Sequence, residues 1–163
     1  MKRLLKTLVA LTAALAVGLS ARAWLFSTVR IAGNSMADTL LNGDIVLISR
    51  LSRSPGRGSV MECTFDGRPG TYVKRVVGLP GDTVQFEDSA LILNGRPLSE
   101  PYVITETEDM SLTLGPDEYF LLGDNRAESY DSRTEDMGCI GADRFLGRAV
   151  WILWPINRFG PVE

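Results

Sequence analysis

Histidine is absent from this chain of 163 residues. A Ser-His-Asp triad and the common histidine-based zinc sites are excluded, because both need an imidazole. Lysine is nearly absent as well: Lys2, Lys6 and Lys74 are the only three, so 14 of the 17 basic residues are arginine. Arginine does not surrender its proton in a protein. Beyond the N-terminal tip, proton transfer by a basic side chain therefore falls to Lys74. The two cysteines, Cys63 and Cys139, are too few for a disulfide scaffold, and whether they pair is left open by the sequence. What is present is ordinary: 45% apolar and 23% charged residues, with 16 Gly and 8 Pro, suit one modest globular domain.

The net charge of -3 hides a division. Residues 1–26 carry Lys2, Arg3, Lys6 and Arg22 and no acid, a charge of +4, which leaves 13 basic against 20 acidic residues for the remainder. So acidic a domain argues against nucleic-acid binding. From Leu8 to Phe26 runs a mostly apolar stretch of 19 residues with a single charge, Arg22. As a helix it would be about 28 Å long, close to the hydrocarbon thickness of a bilayer. Arg22 lies near its end, where a long side chain reaches the headgroups, and Trp24 suits the interface. The reading is a cytoplasmic N-terminus (1–6), a transmembrane anchor (7–26) and an extracytoplasmic domain (27–163). The competing reading is a cleaved secretory signal peptide ending at Ala21-Arg22-Ala23. Both place the domain outside the cytoplasm.

After Phe26 no long amphipathic helix is legible, and short β-rich runs alternate with turn signals, which predicts a mainly β, antiparallel domain. Strands are expected at Val29–Ile31, Asp44–Ile48, Ser59–Thr64, Thr71–Val77, Thr83–Glu87, Ala90–Leu93, Glu118–Leu122 and Phe145–Trp154. Asn94-Gly95 reads as a hairpin turn, and Leu79-Pro80-Gly81-Asp82 as a sharp strand end. The acid-rich stretch from Pro97 to Asn125 contains no base and reads as a solvated loop and strand edge without chemistry.

Three segments acquire meaning together. Ser35 lies in the loop Gly33-Asn34-Ser35-Met36-Ala37-Asp38-Thr39-Leu40, only nine residues beyond Phe26, so an extended chain keeps it within ~30 Å of the membrane. In the strand Thr71 to Gly78, period-2 alternation points Lys74 and Arg75 to opposite faces, so one of the two cations meets the more apolar side. The polar run Gly123 to Arg133 holds Asp124, Ser129, Asp131 and Arg133; by itself it reads as an exposed loop with an Asp131–Arg133 ion pair. As a set they supply a hydroxyl nucleophile, an amine base and a loop able to orient that amine, the inventory of a serine-lysine hydrolase.

On these residues the chain resembles the type I (leader) signal peptidases, in the compact single-anchor form typical of Gram-positive bacteria. The resemblance rests on the N-terminal anchor, Ser35-Met36 with Thr39-Leu40 and Gly43-Asp44, and Tyr72 to Gly78 with Pro80-Gly81-Asp82. It extends to Gly123-Asp124-Asn125-Arg126, Ser129, Asp131-Ser132-Arg133, and the closing Gly147 to Pro155 strand. The self-cleaving repressor family shares a Ser-Met and a Val-Lys-Arg strand, but the last loop and the anchor favour the peptidase. The resemblance implies Ser35 as nucleophile, Lys74 as general base and Ser129 as hydrogen-bond partner of the Lys74 amine. It further implies that Asp131 and Arg133 pair to brace the loop and that Asp124 meets Arg75 behind the site. The implied fold is an antiparallel β-sheet or barrel-like catalytic fold with a small variable β subdomain at about 82–115. Two departures stand out: Asp38 occupies a position where the family usually has Pro, which removes a φ restraint. Gly33 occupies a position where some relatives carry a hydroxyl donor, which leaves the Ser35 backbone N–H and a second, unassigned donor for the oxyanion.

The implied reaction removes signal peptides from secreted precursors through an acyl-enzyme, with small residues at the first and third positions before the cut and no metal or organic cofactor. Membrane lipid is the other implied partner; oligomeric state is not legible. The other readings are a serine-lysine protease with a different target and a catalytically silent β module that binds extended peptides. The demand on Lys74 is severe: at an ordinary pKa of about 10.4, fewer than ~0.1% of such amines are neutral at pH 7, a deficit of ~4.6 kcal/mol. Burial has to supply the difference. The cut-like Ala21-Arg22-Ala23 also suggests self-cleavage near the membrane exit.

Overall fold

β-branched and aliphatic residues give this chain most of its strands, and the longer ones fall on such runs. The computed structural model describes residues 6–7, 11–12, 24–37, 39–51, 54–103 and 107–163. Its strands are β1 (Phe26–Arg30), β2 (Ile45–Ser49), β3 (Val60–Cys63), β4 (Tyr72–Gly78), β5 (Thr83–Glu87), β6 (Ala90–Leu93), β7 (Arg96–Pro97), β8 (Met110–Thr113), β9 (Phe120–Leu122), β10 (Phe145–Trp154) and β11 (Gly160–Pro161). All pairings are antiparallel. The fold is mainly β.

Two sheets result. The larger runs β1-β2-β10-β3-β4-β9, with β11 added on β10, and the smaller runs β7-β6-β5-β8. β10 is the spine of the large sheet: its first residues pair with β3 and its later ones with β2, and bulges let one ten-residue strand serve both. The Asn94-Gly95 turn joins β6 to β7 with φ of 53° and 74°, the left-handed pair that a tight hairpin requires. Pro80 and Gly81 close the turn after β4, with Gly81 at φ 83° and the Asp82 N–H donating to the Leu79 carbonyl at 3.0 Å.

Three apolar clusters fill the interior. One joins Ile31, Met36 and Leu40 to the faces of β2 and β10; a second lies under β3, β4 and β9 around Met61, Val76, Leu121 and Phe145. The third, with Val77, Val84, Phe86, Leu114 and Phe120, glues the small sheet to the back of β4 and β9. β4 reaches all three: Val73 packs on the first, and Val76 and Val77 enter the second and third from opposite faces, because alternate residues face opposite ways.

Several expectations change. β1 begins at Phe26, within the expected anchor, because Phe26 to Arg30 pairs residue by residue with Ser49 to Ile45 of β2. β8 lies in the acid-rich stretch read as loop and edge: Met110–Thr113 pairs with β5, so local polarity yields to a free neighbouring edge. β7 and β11, two residues each, are too short to carry a pattern. Among the described residues no helix is long and apolar enough to cross a membrane. Most of the expected anchor, together with Ala21-Arg22-Ala23, lies outside the described residues.

Candidate active site

The Ser35 loop is fixed by its apolar neighbours. Met36 and Leu40, four apart, are both buried in the cluster beside β2, and the Leu40 N–H donates to the Met36 carbonyl at 2.7 Å. This single turn drives two side chains inward and leaves Ser35 half-buried at the surface. Gly33 enters the loop at φ 93°, a value that favours glycine, and its N–H is held by Asn42 Oδ1 at 3.1 Å. Asp38 lies outside the described residues.

On β4 both cations, and not just the one on the more apolar side, are buried: Lys74 is 2% exposed and Arg75 3%. Both faces of this strand are covered, one by the small sheet, so neither cation reaches water. Their fates differ. Arg75 donates Nε to one Asp124 carboxylate oxygen at 2.9 Å, Nη2 shares its hydrogens among the other at 2.8 Å, Thr39 Oγ1 and the Glu163 carbonyl, and Nη1 donates to the Gly58 carbonyl. Burial is the largest influence and opposes the Arg75 charge, but the hydrogen bonds to Asp124 together with the nearby charges of Asp124, Tyr102 and Glu100 hold its pKa above the ordinary arginine value. Lys74 has no carboxylate within ion-pair distance among the described residues; its Nζ donates to Ser129 Oγ at 2.9 Å. Burial pulls its pKa down from 10.5 to about 8, with Asp131 the largest opposing influence. The neighbouring Cys63 thiol is pushed by burial to about 12 and stays uncharged; Cys63 and Cys139 are both free thiols.

The Gly123 to Arg133 run is also more enclosed than its polarity suggests. Asp124, Asn125, Arg126, Asp131 and Ser132 are buried. Asp131 accepts two bonds from the Arg133 guanidinium, at 2.8 and 3.0 Å, and one from the Gly123 N–H at 2.9 Å. Arg133 reaches on to the Arg126 carbonyl at 2.7 Å. A side chain at Gly123 would collide with both Ser129 Oγ and the Ser35 carbonyl, so glycine is needed because two functional segments press against its Cα. Three further bonds tie this loop to the serine segment: Asn125 N–H to the Ser35 carbonyl at 3.1 Å, Asn34 Nδ2 to Glu128 at 3.0 Å, and Thr39 Oγ1 to Asp124 at 2.6 Å.

Ser35 and Lys74 thus come to one cavity of about 210 Å³, whose other walls are Val29 to Ala32 and Met36 on one side and Thr71 to Val73 on the other. No Ser35–Lys74 hydrogen bond is formed; among the described residues the Lys74 amine bonds to Ser129. Such bonds are often long before a substrate arrives. The Ser35 N–H donates to no acceptor among the described residues and is available to an oxyanion. Chemically, the cavity offers an alcohol, an amine that can be neutral near pH 8, and two extended walls for a peptide. Among the described residues no group of three or more His, Cys, Asp or Glu is placed to hold a metal.

Sequence reasoning assigned no role to Gly123, Thr39, Arg126, Glu100 or Tyr102. Gly123 and Thr39 sit inside the motifs and could have been suspected from them. Glu100 and Tyr102 carry no local signal, because their partners, Arg126 and Arg75, are distant in sequence.

The family model described as "Signal peptidase, peptidase S26" matches residues 4–154. Signal peptidase I of Bacillus licheniformis is 35% identical, over 91% of this chain and 88% of its own length. Signal peptidase I T of Bacillus subtilis is 32% identical, over 91% and 84%. The crystal structure of a signal peptidase I from Enterococcus faecalis aligns with a TM-score of 0.53 at 31% identity, covering 58% of this chain and 96% of that one.

Proposed function

Because the chain belongs to the signal peptidase family, peptidase S26, we propose that it removes signal peptides from secreted precursors with Ser35 as nucleophile and Lys74 as general base. The observation that carries the mechanism is the Lys74 amine: buried, without a carboxylate partner among the described residues, and lining the same cavity as Ser35. With a pKa of about 8, roughly a tenth of the amines are neutral at pH 7, some 300-fold more than at 10.5.

Neutral Lys74 takes the Ser35 proton as Oγ attacks the scissile carbonyl. The Ser35 N–H faces the resulting oxyanion. Lys74 then delivers the proton to the departing amine, leaving an acyl-enzyme on Ser35, and activates the water that releases it. Ser129 holds the amine aimed, Asp131 and Arg133 brace the Ser129 loop, and the Arg75–Asp124 pair ties β4 to both the loop and Thr39. The small cavity between two extended walls suits an extended peptide with small residues at the first and third positions before the cut. Residues 7–25 serve as the anchor, residues 1–6 stay in the cytoplasm, and the catalytic domain, from Phe26 at the start of β1 onward, works on the outer face of the membrane.

The test is cleavage of a precursor peptide by the full chain in detergent or liposomes. Wild type cleaves, with a rate that rises through about pH 8 as Lys74 loses its proton, and Ser35→Ala and Lys74→Ala do not. Persistent activity in Lys74→Ala would defeat the assignment.

A further inference from the structure

Two buried arginines flank the Gly123-Asp124-Asn125 turn, and both are held by a segment outside the large sheet. Arg126, whose side chain is 1% exposed, donates to Glu100 Oε1 at 2.7 Å. Arg75 carries the Tyr102 ring on its guanidinium at 3.9 Å. Glu100 and Tyr102 form one unit, since the Tyr102 hydroxyl donates to Glu100 Oε1 at 3.1 Å. The strap that bears them follows β7, at the end of the small sheet. Phe86 of β5 adds a second contact from that sheet, 5.5 Å from the Arg126 guanidinium.

From these arginines the contacts lead inward. Arg126 Nε donates to the Gly123 carbonyl at 3.1 Å, and the Arg126 carbonyl receives Arg133. Gly123 is the residue wedged against the Ser35 carbonyl and Ser129. Arg75 grips Asp124, which accepts from Thr39 in the serine segment. We propose that Glu100 and Tyr102 are positioning residues, a clamp by which the small sheet holds the Gly123–Ser129 turn closed so that Ser129 stays on the Lys74 amine beside Ser35. The inference rests on the Ser35–Lys74 reading above. Neither residue touches the reacting groups, and a buried ion pair adds little net stability over an apolar substitute. What it does fix is geometry, because Arg126 has one carboxylate and one carbonyl to satisfy and both lie at defined angles.

The experiment compares Glu100→Gln, Tyr102→Phe and Tyr102→Leu with wild type and with Glu87→Gln at the exposed end of β5, each as the full chain in detergent. Cleavage of one precursor peptide is measured from pH 6 to 10, with rates expressed per folded molecule. Glu100→Gln is expected to lower kcat about tenfold with KM within about twofold, because small displacements of catalytic groups have large effects on rate. Its pH profile moves up by about one pH unit as the loosened amine meets water. Tyr102→Leu follows it, Tyr102→Phe, which keeps the ring on Arg75, stays within about threefold of wild type, and Glu87→Gln is unchanged. A merely structural role would reduce the folded amount and leave the kcat per folded molecule and the pH profile alone; that result overturns the inference. If Glu100→Gln does not fold, the tyrosine pair decides, and equal rates for Phe and Leu overturn it. A wild type without Ser35-dependent cleavage would defeat the function reading itself, and the clamp with it.

Discussion

Replacing Lys74 by methionine should make the protein more stable and wholly inactive. The amine is held at a pKa of about 8 in the folded chain against 10.5 when free. Between these values the unfolded chain binds more protons than the folded one, so stability rises with pH across the window and Lys74 disfavours folding below it. The difference of about 2.5 pH units corresponds to ~3 kcal/mol at pH 7. Methionine has nearly the same length, fills the same space and carries no charge to desolvate. Against the gain stands the lost hydrogen bond to Ser129, worth ~1 kcal/mol. The variant should therefore be about 2 kcal/mol more stable than wild type at pH 7. The two should cross near pH 10, where most of the ionisation penalty is gone and the missing hydrogen bond remains. Urea unfolding of both chains in detergent, followed by the fluorescence of Trp151 and Trp154 on β10, measures the gap at successive pH values. A gap that does not change between pH 7 and 10.5, or a wild type that is the more stable at pH 7, would show that Lys74 is not held in a dry site.

Gly123→Ala should reduce cleavage about 100-fold per folded molecule, because the new methyl displaces the Ser35 carbonyl, Ser129 or both; a rate within threefold of wild type would mean the two segments are not pressed together as described. Asp124→Asn leaves the Arg75 guanidinium buried without its counter-charge and should lower the unfolding free energy by ~3–5 kcal/mol, read as an earlier urea midpoint with unchanged slope; a loss below ~1 kcal/mol would contradict the burial of that pair.

The strands were legible where both pattern and length allowed. β5 and β6 fall on the runs expected from alternation, because Thr83 to Glu87 and Ala90 to Leu93 are bounded by Asp82 and the Asn94-Gly95 turn. β8 was not legible. Met110–Thr113 follows a run of acids, and only the open edge of β5, invisible in the sequence, makes it a strand. In the site, the rarity of lysine pointed at Lys74 without any geometry. Its neighbour Arg75 gave no comparable sign, since arginine is common in this chain and usually sits at the surface. The enclosure of the Gly123 to Arg133 run was hidden for a related reason. Its charges cancel in pairs, Asp124 with Arg75 and Arg126 with Glu100, whose members are 49 and 26 residues apart, so no local window contains both.

The two cations of β4 meet burial in different ways. Alternation sends Lys74 and Arg75 to opposite faces, and burial raises the energy of charge on both. Arginine cannot answer by losing its proton, so the fold supplies Asp124, in a bidentate contact, and the pair becomes a permanent tie between β4, Thr39 and the Gly123 turn. Lysine can answer that way, and among the described residues no carboxylate pairs with it: Asp131, the acid with most influence on it, is committed to Arg133 and to the Gly123 N–H. A carboxylate left free at that position would return Lys74 to its ammonium form and remove its capacity as a base. The Asp131–Arg133 pair therefore does two things at once. It braces the loop that carries Ser129, and it pairs the acid that most opposes the lowered pKa of Lys74.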